Sequence, residues 1–127
     1  MQFGKKTEVG AGSMPAASPE SSDEQMLATI KDAIEKNKIA VFMKGTPAQP
    51  MCGFSAAVVE ILNQMKVPYV GVDAIEHPRF RQVLSAHTKW PTLPQVFVGG
   101  KLIGGCDIVR EMKASGELDK VIAEAIK

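Results

Sequence analysis

The sequence predicts an α/β domain, a four-stranded mixed sheet with helices on both faces. Three observations predict it. Short apolar, β-prone runs alternate with longer amphipathic ones through the first two thirds of the chain, as in parallel crossover units. Val96–Val98 and Lys101–Ile103 then flank Gly99-Gly100, a two-residue hairpin signal that adds an antiparallel pair. Two helical stretches follow, so the order is α-β-α-β-α-β-β-α-α, without an internal repeat.

Taken in order, the first helix starts where Ser21 and Ser22 precede Glu24 and Gln25, the pattern of a capping box. Met26, Leu27, Ile30 and Ile34 recur at helical spacing to about Asn37. "IAVFMK", Ile39 to Lys44, is a buried strand. Phe54, Val58, Ile61, Leu62 and Met65 trace one face of the second helix, which Val67-Pro68 ends. "YVGVDA", Tyr69 to Ala74, is a second buried strand. "HPRFRQVLSAH", His77 to His87, is a helix with Pro78 in its first turn, where the missing N–H costs nothing. After the hairpin, Asp107 caps a helix to about Ala114, and Gly116 breaks it before the amphipathic Leu118–Ile126. Met26, Met43, Met65 and Met112 read as core filler.

Residues 21–127 are expected to be one domain. Residues 1–20 are expected to be a disordered tail, rich in small residues and proline and without apolar periodicity. Gly12–Met14 ("GSM") has the form of a cloning scar, and the rest that of a tag or targeting remnant. A mitochondrial presequence would be Arg-rich and poor in acids. Here Arg79 is the first arginine, while Glu8 and Glu20 lie within the tail, so the tail does not settle localisation.

Fifteen basic and fourteen acidic residues nearly cancel, which argues against nucleic acid as a partner. No apolar run reaches the roughly 20 residues of a membrane span, so no membrane role is expected. Two cysteines, Cys52 and Cys106, are too few for a disulfide framework and fit a reducing compartment. His77 and His87 stand apart from other metal-ligating residues and read as surface residues on a helix.

Cys52 carries the chemistry. It falls where a strand gives way to a helix, at the end whose unpaired N–H groups favour an anion. Lys44, at the end of the preceding strand, adds a positive charge, and Gly53 leaves the sulfur open to approach. Both charges lower the thiol pKa from about 8.5 toward reactivity at neutral pH. The competing reading is a buried, inert cysteine. Three residues on, where a dithiol enzyme has its second cysteine, stands Ser55.

That element order, with Cys52 after the first strand and a proline before the hairpin, resembles the thioredoxin-like fold. "KGTP" at Lys44–Pro47, "CGFS" at Cys52–Ser55, "WPTLPQ" at Trp90–Gln95 and "GGCD" at Gly104–Asp107 resemble the monothiol glutaredoxins. The similarity spans about residues 23–127 and is greatest to the single-domain class of bacteria and mitochondria. It implies a glutathione site around Cys52 and Phe54. Lys44 and Arg81 would meet the glycyl carboxylate, and Thr92 the middle of the ligand. Pro94, in the cis form, would expose the backbone of Leu93 to the cysteinyl part. The helix start at Cys106 and Asp107 would take the γ-glutamyl end, its N–H groups binding the carboxylate. Apart from the resemblance, Arg81 and Asp107 read as a solvated charge and an ordinary cap. One departure is Ser85, where many relatives carry a lysine; Lys89 is the candidate to compensate. A glutathione conjugate with a spermidine arm, which needs less positive charge there, is the alternative ligand.

Three readings stay open for Cys106: a partly buried small residue, a thiol that resolves a mixed disulfide at Cys52, or an extra metal ligand. Trp90 reads equally as flanking the site or as packing.

A [2Fe–2S] cluster ordinarily needs four thiolates. The resemblance implies that two chains supply Cys52 as the metal ligand and two glutathiones supply the rest. The protein would then be a monomer when apo and a homodimer when loaded, taking clusters from donor proteins and passing them to acceptors. The alternative is a glutathione-dependent thiol transferase that uses Cys52 alone, at most a weak oxidoreductase. A thioredoxin-like interaction module without redox chemistry is a third reading, and it leaves the glutathione motifs idle. The resemblance points to the mitochondrial matrix, with a cytoplasmic setting as the alternative.

Overall fold

The computed structural model describes residues 10–14, 21–75 and 77–126. Their elements are β1 (Gly10–Met14), α1 (Asp23–Lys36), β2 (Ile39–Met43), α2 (Gly53–Met65), β3 (Pro68–Asp73), α3 (Pro78–Thr88), β4 (Gln95–Val98), β5 (Lys101–Gly104), α4 (Cys106–Ser115) and α5 (Glu117–Ile126). The strands lie in the order β1-β3-β2-β4-β5. β2 and β3 run parallel, while β4 is antiparallel to β2 and β5 to β4. Strands β2 to β5 are the predicted mixed sheet.

Alternation along β2 divides the core. Ala40 and Phe42 face one cluster with Val70, Val72 and Phe97, closed by Met26 and Ile30 of α1 and Phe80 and Leu84 of α3. Ile39, Val41 and Met43 face the other, closed by Val58 and Leu62 of α2, Val109 of α4, and Leu118 and Ile122 of α5. A strand with both faces covered must be apolar throughout, which is why β2 shows no polar position. Phe42 anchors its side through an edge-on contact with Phe97, ring centroids 5.7 Å apart.

Local signals account for the element ends. The Ser22 hydroxyl accepts the Gln25 N–H and the Gln25 side chain accepts the Ser22 N–H, completing the capping box. Gly99 and Gly100 both have positive φ, as a tight hairpin turn requires.

Two expectations are corrected. Gly10–Met14, assigned to a disordered tail, forms a fifth strand paired in parallel with β3 from Gly10↔Pro68 to Met14↔Val72. Its sequence, GAGSM, is short and rich in small residues, so it carries no apolar alternation to read. The rest of that tail, 1–9 and 15–20, lies outside the described residues. Asp107 is not the cap of α4. The N-cap is Gly105, whose side-chain-free Cα lets the chain pass Pro94; a Cβ there would sit 3.1 Å from the Pro94 carbonyl oxygen.

Candidate functional site

The loop from β2 to α2 builds the thiol's surroundings before any charge is considered. Gly45 has φ +89°, and a Cβ there would come within 2.5 Å of the Gln49 carbonyl oxygen. The loop closes on itself: Met51 N–H donates to Lys44 O at 2.8 Å, and Thr46 and Gln49 exchange backbone hydrogen bonds at 3.2 and 3.0 Å. Pro47 then lies on β3 at Gly71, where a Cβ would be 2.6 Å from its Cδ. Gly45 N–H donates to Asp73 Oδ1 at 3.1 Å, a second tie from the loop to β3.

Cys52 is the N-cap of α2, half-buried, with its sulfur in the role a serine oxygen usually takes. Ser55 N–H donates to Sγ at 3.5 Å. Ser55 is fully buried, and its hydroxyl oxygen accepts the Lys44 N–H at 3.1 Å. The Cys52 thiol donates to the same hydroxyl oxygen at 3.7 Å, and once the sulfur is ionised the hydroxyl can turn its own proton toward it. Burial pushes the Cys52 thiol up, but the Ser55 N–H and hydroxyl, the Phe54 N–H and the Lys44 charge outweigh it and hold the thiol below its ordinary range.

The opposite wall is the Trp90–Pro94 loop and the start of α4. The Leu93–Pro94 peptide is cis. With Phe54 from α2, these segments line a cavity of about 400 Å³ bordered by Trp90, Thr92, Leu93, Pro94, Gly105, Cys106, Asp107 and Ile108. α4 has no side-chain cap, so its first N–H groups are open to an anion. Asp107 is exposed at its second position, while Cys106 is only 6% exposed. Burial raises the Cys106 thiol; the charges of Asp107 and Cys52 add to that, against Arg110.

Six expected residues thus share one cavity: Phe54, Thr92, Leu93, Pro94, Cys106 and Asp107. Cys52 and Lys44 are not among the lining residues; both are tied to Ser55, in the first turn of α2 next to Phe54. Arg81, on α3, is half-buried and does not line it. Phe54 leaves the buried face of α2 to which its spacing assigned it and is 60% exposed at the cavity rim. Trp90 is part of the wall, with its Nε1 buried and lacking a partner among the described residues. His77 is the N-cap of α3 and accepts the Arg79 N–H through Nδ1 at 3.2 Å.

Sequence reasoning missed three contributors. Ser55 was legible only as the absence of a second cysteine. Gln95 was part of a motif with no role attached. Gly105 was hidden behind the acidic residue two positions on, which looked like the cap.

The fold and site define a protein of the thioredoxin-like class, with a half-buried cysteine at a helix start two residues before Phe54, which borders the cavity. The glutaredoxin family model matches residues 39–103. "Glutaredoxin 4" of Pasteurella multocida is 48% identical over 100 residues, covering 79% of this chain and 92% of that protein. "Probable monothiol glutaredoxin 2" of Rickettsia typhi is 42% identical over 105 residues, covering 83% and 95%. Among solved structures, reduced apo GrxS14 of poplar is 38% identical with a TM-score of 0.73, covering 81% of this chain and 94% of that one. A buckwheat glutaredoxin–glutathione complex is 27% identical (TM-score 0.71, covering 81% and 92%). The holo form of glutaredoxin C1 from Populus tremula x tremuloides is 30% identical (TM-score 0.71, covering 81% and 91%). This chain belongs to the monothiol glutaredoxin family.

Proposed function

We propose that the protein binds glutathione in the cavity beside Cys52 and, as a homodimer, carries a [2Fe–2S] cluster from donor to acceptor proteins in iron–sulfur protein biogenesis. The cluster is cargo, held by Cys52 and a glutathione thiol from each protomer. One observation carries the reading: Cys52 is a single, accessible, readily ionised thiol whose neighbour three residues on is a buried serine. A thiolate without a partner in its own motif stays free as a ligand, and the Ser55 N–H and hydroxyl favour the ionised form. Exposed Gly53, with open space where a side chain would be, leaves room for a second molecule at the sulfur. The cavity suits the tripeptide: α4 N–H groups for a carboxylate, Asp107 for an ammonium, and an apolar wall for the stem. One similar structure is a glutathione complex, which supports the glutathione part of the reading.

Anaerobic reconstitution with iron, sulfide and glutathione tests it. The expected result is a coloured dimer with one cluster per two chains, lost when glutathione is omitted or in Cys52→Ser. A colourless monomer with glutathione bound would defeat the cluster reading. Colour without glutathione would make Cys106 a ligand. A spermidine conjugate competing better than glutathione would identify the modified ligand.

The lowered Cys52 pKa also favours a second reading, glutathione-dependent thiol transfer. The Cys52 thiolate attacks the glutathione sulfur of a mixed disulfide; the S–S bond breaks and the substrate thiolate leaves and takes a proton. A second glutathione thiolate then attacks the Cys52–glutathione disulfide, releasing oxidised glutathione and restoring Cys52. Turnover of a glutathionylated peptide, without iron, measures this activity separately. The proposed setting is the mitochondrial matrix, with the cytoplasm as the alternative, and imaging the full chain in its own cell decides between them.

A further inference from the structure

Gln95, the first residue of β4, is polar yet fully buried. Its Nε2 donates to the carbonyl oxygen of Trp90 at 2.9 Å and to that of Thr92 at 3.2 Å. Its Oε1 is buried without a partner among the described residues. The two carbonyls determine which way the amide points, because the flipped amide would set oxygen against oxygen. A residue kept only to fill space would not strand an acceptor, since leucine or methionine fills a similar volume without that penalty.

Peptide planarity gives these bonds a consequence at the cavity. In a trans peptide the C=O and N–H point in opposite directions. The cis bond in this loop is Leu93–Pro94, so the Thr92–Leu93 peptide is trans. Drawing the Thr92 carbonyl toward Gln95 therefore turns the Leu93 N–H away from Gln95, in a loop whose Thr92, Leu93 and Pro94 all border the cavity. That N–H has no backbone partner among the described residues. The bond to Trp90 O pins the other end of the loop, across Pro91, and so fixes the indole in the cavity wall.

We infer that Gln95 is a positioning residue for ligand binding, its amide aiming the Leu93 N–H at a backbone carbonyl of the bound thiol peptide. The inference rests on the reading that the cavity holds glutathione. Gln95 itself touches neither ligand nor thiol.

Trp90 is the sole tryptophan, so its fluorescence reports this loop directly. The probes are glutathione, for affinity, and a glutathionylated peptide, for turnover. Gln95→Leu is expected to bind glutathione about tenfold more weakly and to raise KM for the peptide by a similar factor. Its kcat and the alkylation rate of Cys52 stay unchanged, because Ser55 and the α2 terminus set them. Gln95→Glu is the second variant. Its buried carboxyl faces two carbonyls when ionised but donates an O–H when protonated, so its affinity relative to wild type recovers as pH falls. A purely structural role would lower the melting temperature of both variants without the KM shift or the pH-dependent recovery. Wild-type affinity in folded Gln95→Leu, or a Gln95→Glu profile parallel to wild type, overturns the inference alone. A wild-type chain that does not bind glutathione overturns the glutathione reading and this inference with it.

Discussion

Each cysteine of the protein stands at the start of a helix, and the two are opposites. Cys52 is the N-cap of α2, and Cys106 is the first residue of α4. Helix-end charge acts on both, yet the first thiol is lowered and the second raised. The difference is one position of register. At the N-cap the sulfur folds back onto the Ser55 N–H, whereas one residue further in, Cys106 is packed away from water. Direct hydrogen bonds and burial, rather than proximity to a helix end, decide which thiol is lowered and which is raised.

The largest expected effect comes from removing one thiol at a time. Cys52→Ser abolishes deglutathionylation and cluster binding, while Cys106→Ser lowers both and keeps them measurable; equal losses would erase the distinction. Alkylation with iodoacetamide, mapped by mass spectrometry, comes next. At neutral pH Cys52 is modified first, and Cys106 follows at a comparable rate only after denaturation. Ser55→Ala narrows the gap between the thiols. Without the hydroxyl, Cys52 moves toward its ordinary range and its neutral-pH alkylation slows by roughly fivefold. The part-buried Lys44 N–H loses its acceptor as well, so chemical denaturation should show a loss of about 1 kcal/mol. Lys44→Gln has the smallest effect on Cys52, since its charge ranks below the hydrogen bonds in holding the thiol down.

The same contrast has a sign in stability against pH. The folded pKa of Cys52 is depressed, so its contribution is present above the unfolded value of about 8.5 and is lost as pH falls through the folded one. The folded pKa of Cys106 is raised, so its contribution is present below about 8.5 and is lost as pH rises through the folded value. Unfolding followed from neutral to alkaline pH should therefore show that Cys106→Ser reduces the alkaline loss and Cys52→Ser deepens it.

What the sequence revealed follows the same physics. The capping box at Ser22 and Gln25, the paired glycines at 99 and 100 and the unbroken apolar run of β2 are local, and each was legible. The grouping of Phe54, Thr92, Leu93, Pro94, Cys106 and Asp107 in one cavity was legible only through the family resemblance that four motifs carry, and Arg81, expected with them, does not line it. Contacts between distant segments were not legible. Ser55 reaches Lys44 across a loop, and Pro47 lies on Gly71 in another strand. β1, GAGSM, pairs with the distant β3 and has no apolar alternation to announce it. Gly105 was hidden because its role is an absent side chain.

The bond from Lys44 N–H to the Ser55 hydroxyl joins the end of β2 to the first turn of α2, and Pro47 reaches its seat only once β3 lies beside β2. A chain still emerging from the ribosome has neither. Its Cys52 is then an ordinary thiol, mostly protonated and slow to react with passing oxidants or metal ions. Folding itself therefore lowers the thiol: the shift belongs only to molecules in which β2, β3 and α2 have already come together.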